Sequence, residues 1–254
     1  MNCKTCNSSL RSDFRFCPHC GAKVIRNRLT LKNIWQDVSV HVFDLDNTFL
    51  KTFRHLFHKP DVVINSFISG VRKKYMNPIG YFAIAITSSG ILFYILRNWY
   101  GVDFTGNDLN QEVSTKMDFI FDFQGILSYL FIPVYAAMTW LLFLDTKKLN
   151  YTEHLIANTY TTAQTYLVQF LICLPLFSFF EITYQDLNWW ILLLSTIYQF
   201  YAFQKLHHVS NISAILRALG YLMMFSLFLM GIGILFVVIG KLTGNVEWED
   251  IRPK

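Results

Sequence analysis

Four cysteines open the chain in two close pairs, Cys3-Lys-Thr-Cys6 and Cys17-Pro-His-Cys20-Gly21, with ten residues between them. A CxxC turn presents two thiolates from one tight knuckle, and two such knuckles complete a tetrahedral shell around zinc. Gly21 lets the backbone curl beneath the second pair. Four protein ligands leave no open coordination position. The chemistry expected of Cys3, Cys6, Cys17 and Cys20 is therefore structural zinc binding, not metal catalysis. His19 lies between two better ligands and stays outside the shell. A redox role for the CxxC pairs lacks the βαβ pattern that would support it. The fifth cysteine, Cys173, sits in an apolar run. This thiol usage fits metal in a reducing compartment and not a secreted disulfide framework.

A second group of polar residues stands inside an apolar stretch. Glu153 and His154 are followed by Asn158, Thr161, Thr162 and Thr165. From His154 these positions recur at i+4, i+7, i+8 and i+11, which places them on one helical face. Polar side chains at membrane depth must meet partners, a cavity or the interior of a bundle. Two readings follow, a polar groove that forms a pathway or a set of interhelical hydrogen bonds. No Asp, Glu, Lys or Arg lies deep in any apolar stretch, which favours packing. Glu153 and His154 are the pair that would carry any acid–base chemistry.

The elements that must position these groups follow from composition. At 53% hydrophobic and 17% aromatic residues over 254 positions, the chain exceeds ordinary soluble usage. The net charge of +5 conceals an asymmetry. Residues 1–76 carry thirteen Lys and Arg against five Asp and Glu, whereas 77–254 carry nine against twelve. A basic N-terminal part beside apolar runs reads as a cytoplasmic surface facing anionic lipid, not as a nucleic-acid patch. The first thirty residues hold no apolar core, so the first membrane span is expected to serve as targeting signal.

After the zinc ribbon (1–25), residues 26–77 form a basic segment of amphipathic helices. Leu31 to Phe43 is one expected helix, a second runs from a cap at Asp46 or Asn47 to Phe57, and a third follows Pro60 with Val63, Ile64, Phe67, Val71 and Tyr75 at helical spacing. The junction Gly70-Val-Arg72-Lys-Lys-Tyr75-Met-Asn77-Pro78 puts Arg72, Lys73 and Lys74 directly before the first long apolar run. Five spans are expected within 78–240: Pro78 to Leu96, Gly125 to Leu144, Leu155 to Phe180, Trp189 to Leu206 and Ala218 to Ile239. Each approaches the ~20 residues that cross about 30 Å of hydrocarbon. The acidic loop from Trp99 to Phe123 belongs outside, the Lys147 and Lys205 loops inside, and the short tail 241–254 outside. Tyr75, Tyr81 and Trp140 are expected at the inner interface, and Trp99, Tyr100, Trp189 and Trp190 at the outer one. The fold class is thus an all-α membrane protein, five helices preceded by amphipathic helices and a small zinc ribbon.

The cysteine knuckles, Arg28 to Lys32, the segment Phe49 to Pro60 ending His-Lys-Pro, and Gly70-x-Arg72-x-x-Tyr75-x-Asn77-Pro78 together resemble a family of bacterial inner-membrane proteins known as domain of unknown function 3667. The resemblance implies the zinc ribbon and the multi-span architecture, and brings no activity. Lys148 to His154 is similar to a cytoplasmic turn of Yip-type five-span proteins. Val42 to Thr48 resembles the first motif of haloacid-dehalogenase phosphatases, but the spans leave no room for that family's sheet, and Asp44 to Asn47 are read as a helix-capping turn.

The function expected is a non-enzymatic inner-membrane scaffold, assembly or adaptor protein, N-terminus in the cytoplasm and C-terminus in the periplasm. It would meet anionic lipids and a protein partner or a second copy of itself, not nucleic acid. The alternative is a transporter or lipid-handling protein that uses the polar face of the third span.

Overall fold

The computed structural model describes residues 2, 3, 6–11, 13, 14, 17–20, 48–71, 74–102, 124–179 and 184–242. The expected helix over Leu31 to Phe43, the capping residues Asp46 and Asn47, and Arg72 lie outside the described residues. The chain divides into two compact units, Met1–Asn47 and Thr48–Lys254. The boundary splits the 26–77 segment, because its second half shares a core with the long helices.

In the first unit Asn7 adopts a φ of 60°, a left-handed conformation that asparagine tolerates. The reversal lets the Asn7 amide donate to the Cys3 carbonyl at 2.9 Å and the Cys3 amide donate to the Ser8 carbonyl at 2.9 Å. Asn2 and Ser9 pair as an isolated antiparallel bridge. Leu10 packs against buried Cys3 and Cys17, with Phe14 at the edge.

The second unit is all-helical. Helix α1 covers 48–58, α2 is Pro60–Ile68, α3 Pro78–Asn98, α4 Gln124–Leu142, α5 Tyr151–Phe179, α6 Tyr184–His207 and α7 Asn211–Leu242, with a 3₁₀ turn Leu144–Thr146 after α4. Of the five expected spans the first, fourth and fifth lie inside α3, α6 and α7; the second overruns α4, which ends at Leu142, and the third reaches Phe180, outside the described residues. Among the described residues three helices are long and apolar enough to cross a membrane, Pro78–Asn98, Tyr151–Phe179 and Asn211–Leu235, joined by a shorter apolar helix, Leu127–Leu142. That is the signature of a membrane protein. Helix α6, the fourth expected span, is long enough but carries Gln185, Asp186, Gln199, Gln204 and Lys205, and does not reach the same apolarity.

Helix α5 is central and packs on α2, α3, α4 and α6. Its Tyr160 is fully buried beside Tyr81 of α3 and Phe67 of α2. Tyr75 and Tyr81, expected at the inner level, are 4% and 0% exposed. Both rings fill the core where α1 and α3 meet, and each hydroxyl has a protein partner. Trp99, Trp189 and Trp190 are exposed.

The third expected helix stops early. Gly70 has a φ of 87°, its amide donates to the Phe67 carbonyl at 3.1 Å, and the Val71 amide donates to the Ser66 carbonyl at 2.8 Å. This is a Schellman ending, so Val71 and Tyr75 leave the helical register. Asn77 then caps α3 by accepting from the Gly80 amide at 2.7 Å, with Pro78 at the first helical position. Among the described residues no atom lies within 4 Å of a Cβ placed on Gly70, so Gly70→Ala is expected to carry the backbone penalty, about 1–2 kcal/mol. Asn77→Ala is expected to cost about 1 kcal/mol through the lost cap. Thermal unfolding of the full chain in one detergent should place both variants a few degrees below the parent.

Candidate metal centre and membrane polar network

The two knuckles converge. One ligand atom from each of Cys3, Cys6, Cys17 and Cys20 lies within 4.8 Å of all the others. Cys3 Sγ is 3.6 Å from Cys20 Sγ, and Cys6 Sγ is 3.6 Å from Cys17 Sγ. Thiolates about 2.3 Å from a tetrahedral zinc stand about 3.8 Å apart, so the donor set fits such an ion. The Ser8 hydroxyl reaches Cys6 Sγ at 3.0 Å and Cys17 Sγ at 3.3 Å. That contact first, and then the Cys20 backbone, bring the Cys17 thiol from its ordinary 9.0 down to about 6. A thiolate at neutral pH is the form that binds metal. The sequence spacing picked out the four cysteines that the structure brings together, and the contact of Ser8 came only with the turn geometry.

The junction residues form a second constellation. The Thr52 hydroxyl, fully buried on α1, donates to the Thr48 carbonyl at 2.6 Å and accepts from the Met76 amide at 2.9 Å. The Tyr160 hydroxyl donates to the Met76 carbonyl at 2.6 Å, so both backbone groups of Met76 are held. Pro60 ends α1, and its last carbonyls find partners on α6: Tyr198 donates to Leu56 at 3.2 Å and Tyr201 to His58 at 3.4 Å. Gln164 of α5 donates to the Phe53 carbonyl at 3.2 Å and accepts from the Tyr81 hydroxyl. His55 Nδ1 lies 2.8 Å from the Tyr75 hydroxyl, with the Lys51 and Lys74 ammonium groups over the Tyr75 ring. Burial, then Lys51, Lys59, Lys74 and Arg54, push the His55 imidazole below its ordinary value, so it stays neutral at pH 7. Of the junction motif, Gly70, Tyr75, Asn77 and Pro78 therefore have turn, core and capping roles.

The polar face of α5 splits into three environments. Glu153 is exposed, and its carboxylate accepts from the Asn150 amide at 2.8 Å while Asn150 Oδ1 accepts from the Glu153 amide at 2.9 Å. This reciprocal pair is a capping box. Glu153→Gln keeps the acceptor and is expected to shift stability by less than about 0.5 kcal/mol. A role in acid–base chemistry would instead require loss of function in the same variant.

Deeper in, the Thr139 hydroxyl donates to the Tyr135 and Ala136 carbonyls at 3.0 and 3.1 Å. It must then accept from Asn158 Nδ2 at 2.8 Å and from His154 Nδ1 at 3.1 Å. Thr146 likewise donates to the Phe143 carbonyl at 2.8 Å and accepts from His207 Nδ1 at 2.8 Å. Both imidazoles are therefore anchored through Nδ1–H, their ring centroids 5.2 Å apart. Asn158 also donates to the His154 carbonyl and accepts from Gln199 Nε2, each at 2.8 Å. Arg217 of α7 pairs with Asp145 at 2.6 Å and lies over the Phe143 ring at 4.4 Å.

Beyond Gln199, α4, α5, α6 and α7 enclose a cavity of about 130 Å³, lined by Thr161, Thr162, Thr165, Gln169, Ser195 and Thr196 among others. Thus Thr161, Thr162 and Thr165 face one chamber, His154 and Asn158 belong to a packed network, and Glu153 stands apart. His207, Thr139 and Gln199 belong to the same network and come from two other helices, α4 and α6. Their only sequence signal was polarity within apolar runs.

The architecture is that of an all-α membrane protein with a four-cysteine head. Residues 46–89 match the family described as protein of unknown function (DUF3667). That stretch holds α1, α2, the junction and the first half of α3. No curated protein and no solved structure matches the chain.

Proposed function

We propose that this protein is a non-enzymatic scaffold, assembly or adaptor protein of a bacterial inner membrane that docks a partner protein through a zinc-bound cytoplasmic head. The observation that carries the reading is the mutual closure of four thiols, which uses every position of a tetrahedral ion and leaves none for substrate. Five crossings with the N-terminus inside agree with the charge of the loops. Lys51, Arg54, Lys59 and Lys74 flank the junction and suit anionic headgroups. The test is purification at native expression in mild detergent, with mass spectrometry of bound proteins. A stoichiometric partner present with the parent chain and missing with Cys17→Ser supports docking by the head. An equal yield of partner from both chains rejects it.

Zinc retention should also follow pH. A thiol whose folded value is lowered contributes stability above its ordinary value and loses it as pH falls through the folded one. Protons compete with zinc for the same four sulfurs, so metal analysis after dialysis should find zinc held at pH 7 and lost progressively as the buffer is acidified.

The chamber favours a second reading, transport or lipid handling. Replacing Thr161 and Thr165 together by Val would then abolish rescue of a deletion strain. Under the scaffold reading the double variant rescues nearly as well as the parent.

A further inference from the structure

The chamber does not end at its own walls. Along α5 and α6 runs an apolar groove of about 470 Å³, lined by Val168, Ile172, Leu176, Leu187, Trp190 and Leu194 among others. Chamber and groove share Thr165, Gln169, Ile191 and Ser195 as a common wall. Another apolar groove, between α6 and α7, meets the chamber only at Thr196. From Gln164 to Leu176 the first groove follows α5 for ~18 Å, somewhat more than half the ~30 Å hydrocarbon thickness.

The polar side carries hydrogen-bonding groups without formal charge. Thr161 donates to the Ala157 carbonyl at 3.1 Å and Thr165 to the Thr161 carbonyl at 2.9 Å. Ser195 and Thr196 both donate to the Leu192 carbonyl, at 2.9 and 2.8 Å. Each hydroxyl has spent its one hydrogen on its own helix and turns lone pairs outward. Gln199 donates through Nε2 to Asn158 and presents its carbonyl oxygen as an acceptor, while Thr162, Gln169 and Tyr135 bring donors to the same lining. Among the described residues no Asp, Glu, Lys, Arg or His lines the chamber or the groove. An anionic head would enter an apolar bundle without a counter-charge. A hydroxyl head both donates and accepts, and so meets both kinds of group.

We infer that the α5–α6 groove and its chamber bind a single-chain lipid with an uncharged, hydroxyl-bearing head, its chain in the groove and its head reaching between Thr165 and Ser195. The inference rests on the lipid-handling reading above and narrows it to one head chemistry.

Trp190 lines the groove and reports on occupancy. The full chain in phosphatidylcholine nanodiscs is titrated with three probes that share one bromine-labelled acyl chain: a monoacylglycerol, a lysophosphatidic acid and a fatty-acid methyl ester. The expected result is saturable tryptophan quenching by the monoacylglycerol, absent in Trp190→Phe, with the other two at least tenfold weaker. Thr165→Val combined with Ser195→Ala should weaken the monoacylglycerol at least tenfold and leave the methyl ester unchanged. An unaltered unfolding temperature shows that the double variant is intact, and Ser195→Ala alone serves if it is not. Equal saturable quenching by all three probes would overturn the head assignment while the groove remained a lipid site. Quenching that rises without saturation for every probe would overturn the lipid-handling reading with it.

Discussion

Cys17→Ser is expected to reduce bound zinc from about one equivalent per chain to a small fraction of it and to unfold the cysteine head. Cys17 is 2% exposed, packs with Cys3 and Leu10, and accepts the Ser8 hydroxyl that also reaches Cys6. Its loss removes one thiol in four. A head this small has Leu10 and Phe14 as its apolar core beside the sulfurs, so metal binding supplies most of its folding free energy, about 10–16 kcal/mol for four-ligand zinc peptides at pH 7. The helical unit has its own core, and its unfolding temperature should not move. Metal analysis and limited proteolysis of the full chain read both outcomes. One equivalent of zinc retained by Cys17→Ser would refute the four-thiolate site.

The second large effect is expected at Asn158. This side chain is fully buried and makes three hydrogen bonds, to Thr139, to the His154 carbonyl and from Gln199. Asn158→Leu keeps the volume and deletes all three. It leaves the Gln199 amide without its acceptor and loosens the Thr139 hydroxyl that positions His154. Interhelical hydrogen bonds in membranes average about 0.6 kcal/mol, and a stranded buried amide adds about 1–3 kcal/mol, so the variant should lose roughly 2–4 kcal/mol. For a helical unit of this size that is a fall of about 5–15 °C in unfolding temperature. Asn158→Asp should be worse, because a carboxylate cannot donate to Thr139 and brings an uncompensated charge into the bundle. If Asn158→Leu unfolds with the parent, the network carries no stability. The polar face of α5 would then be there for a ligand.

The same residues separate what could be read along the chain from what could not. The ligand set Cys3, Cys6, Cys17 and Cys20 was legible because two CxxC turns impose metal geometry over a few bonds each. The apolar runs were legible because crossing a bilayer demands length and composition, both one-dimensional properties. The end of α2 was misjudged at the level of periodicity. Val71 and Tyr75 fit the helical spacing, but Gly70 in the left-handed region breaks the register, and a local backbone preference outweighs a hydrophobic pattern. The partner of Tyr81 was not legible either, because its hydroxyl donates to Gln164, 83 positions away.

By itself, then, the sequence determined the four-cysteine cluster, the helical class, the positions of the apolar segments and the basic junction, since each depends on neighbours within a turn or two. Only the tertiary structure decided what the polar residues of α5 do. It sent Glu153 to a capping box, Asn158 and His154 into a packed network, and Thr161, Thr162 and Thr165 to a chamber. Their roles are set by which acceptors and donors α1, α4, α6 and α7 bring against them, and hydrogen-bond complementarity across distant segments leaves no periodic trace in the chain.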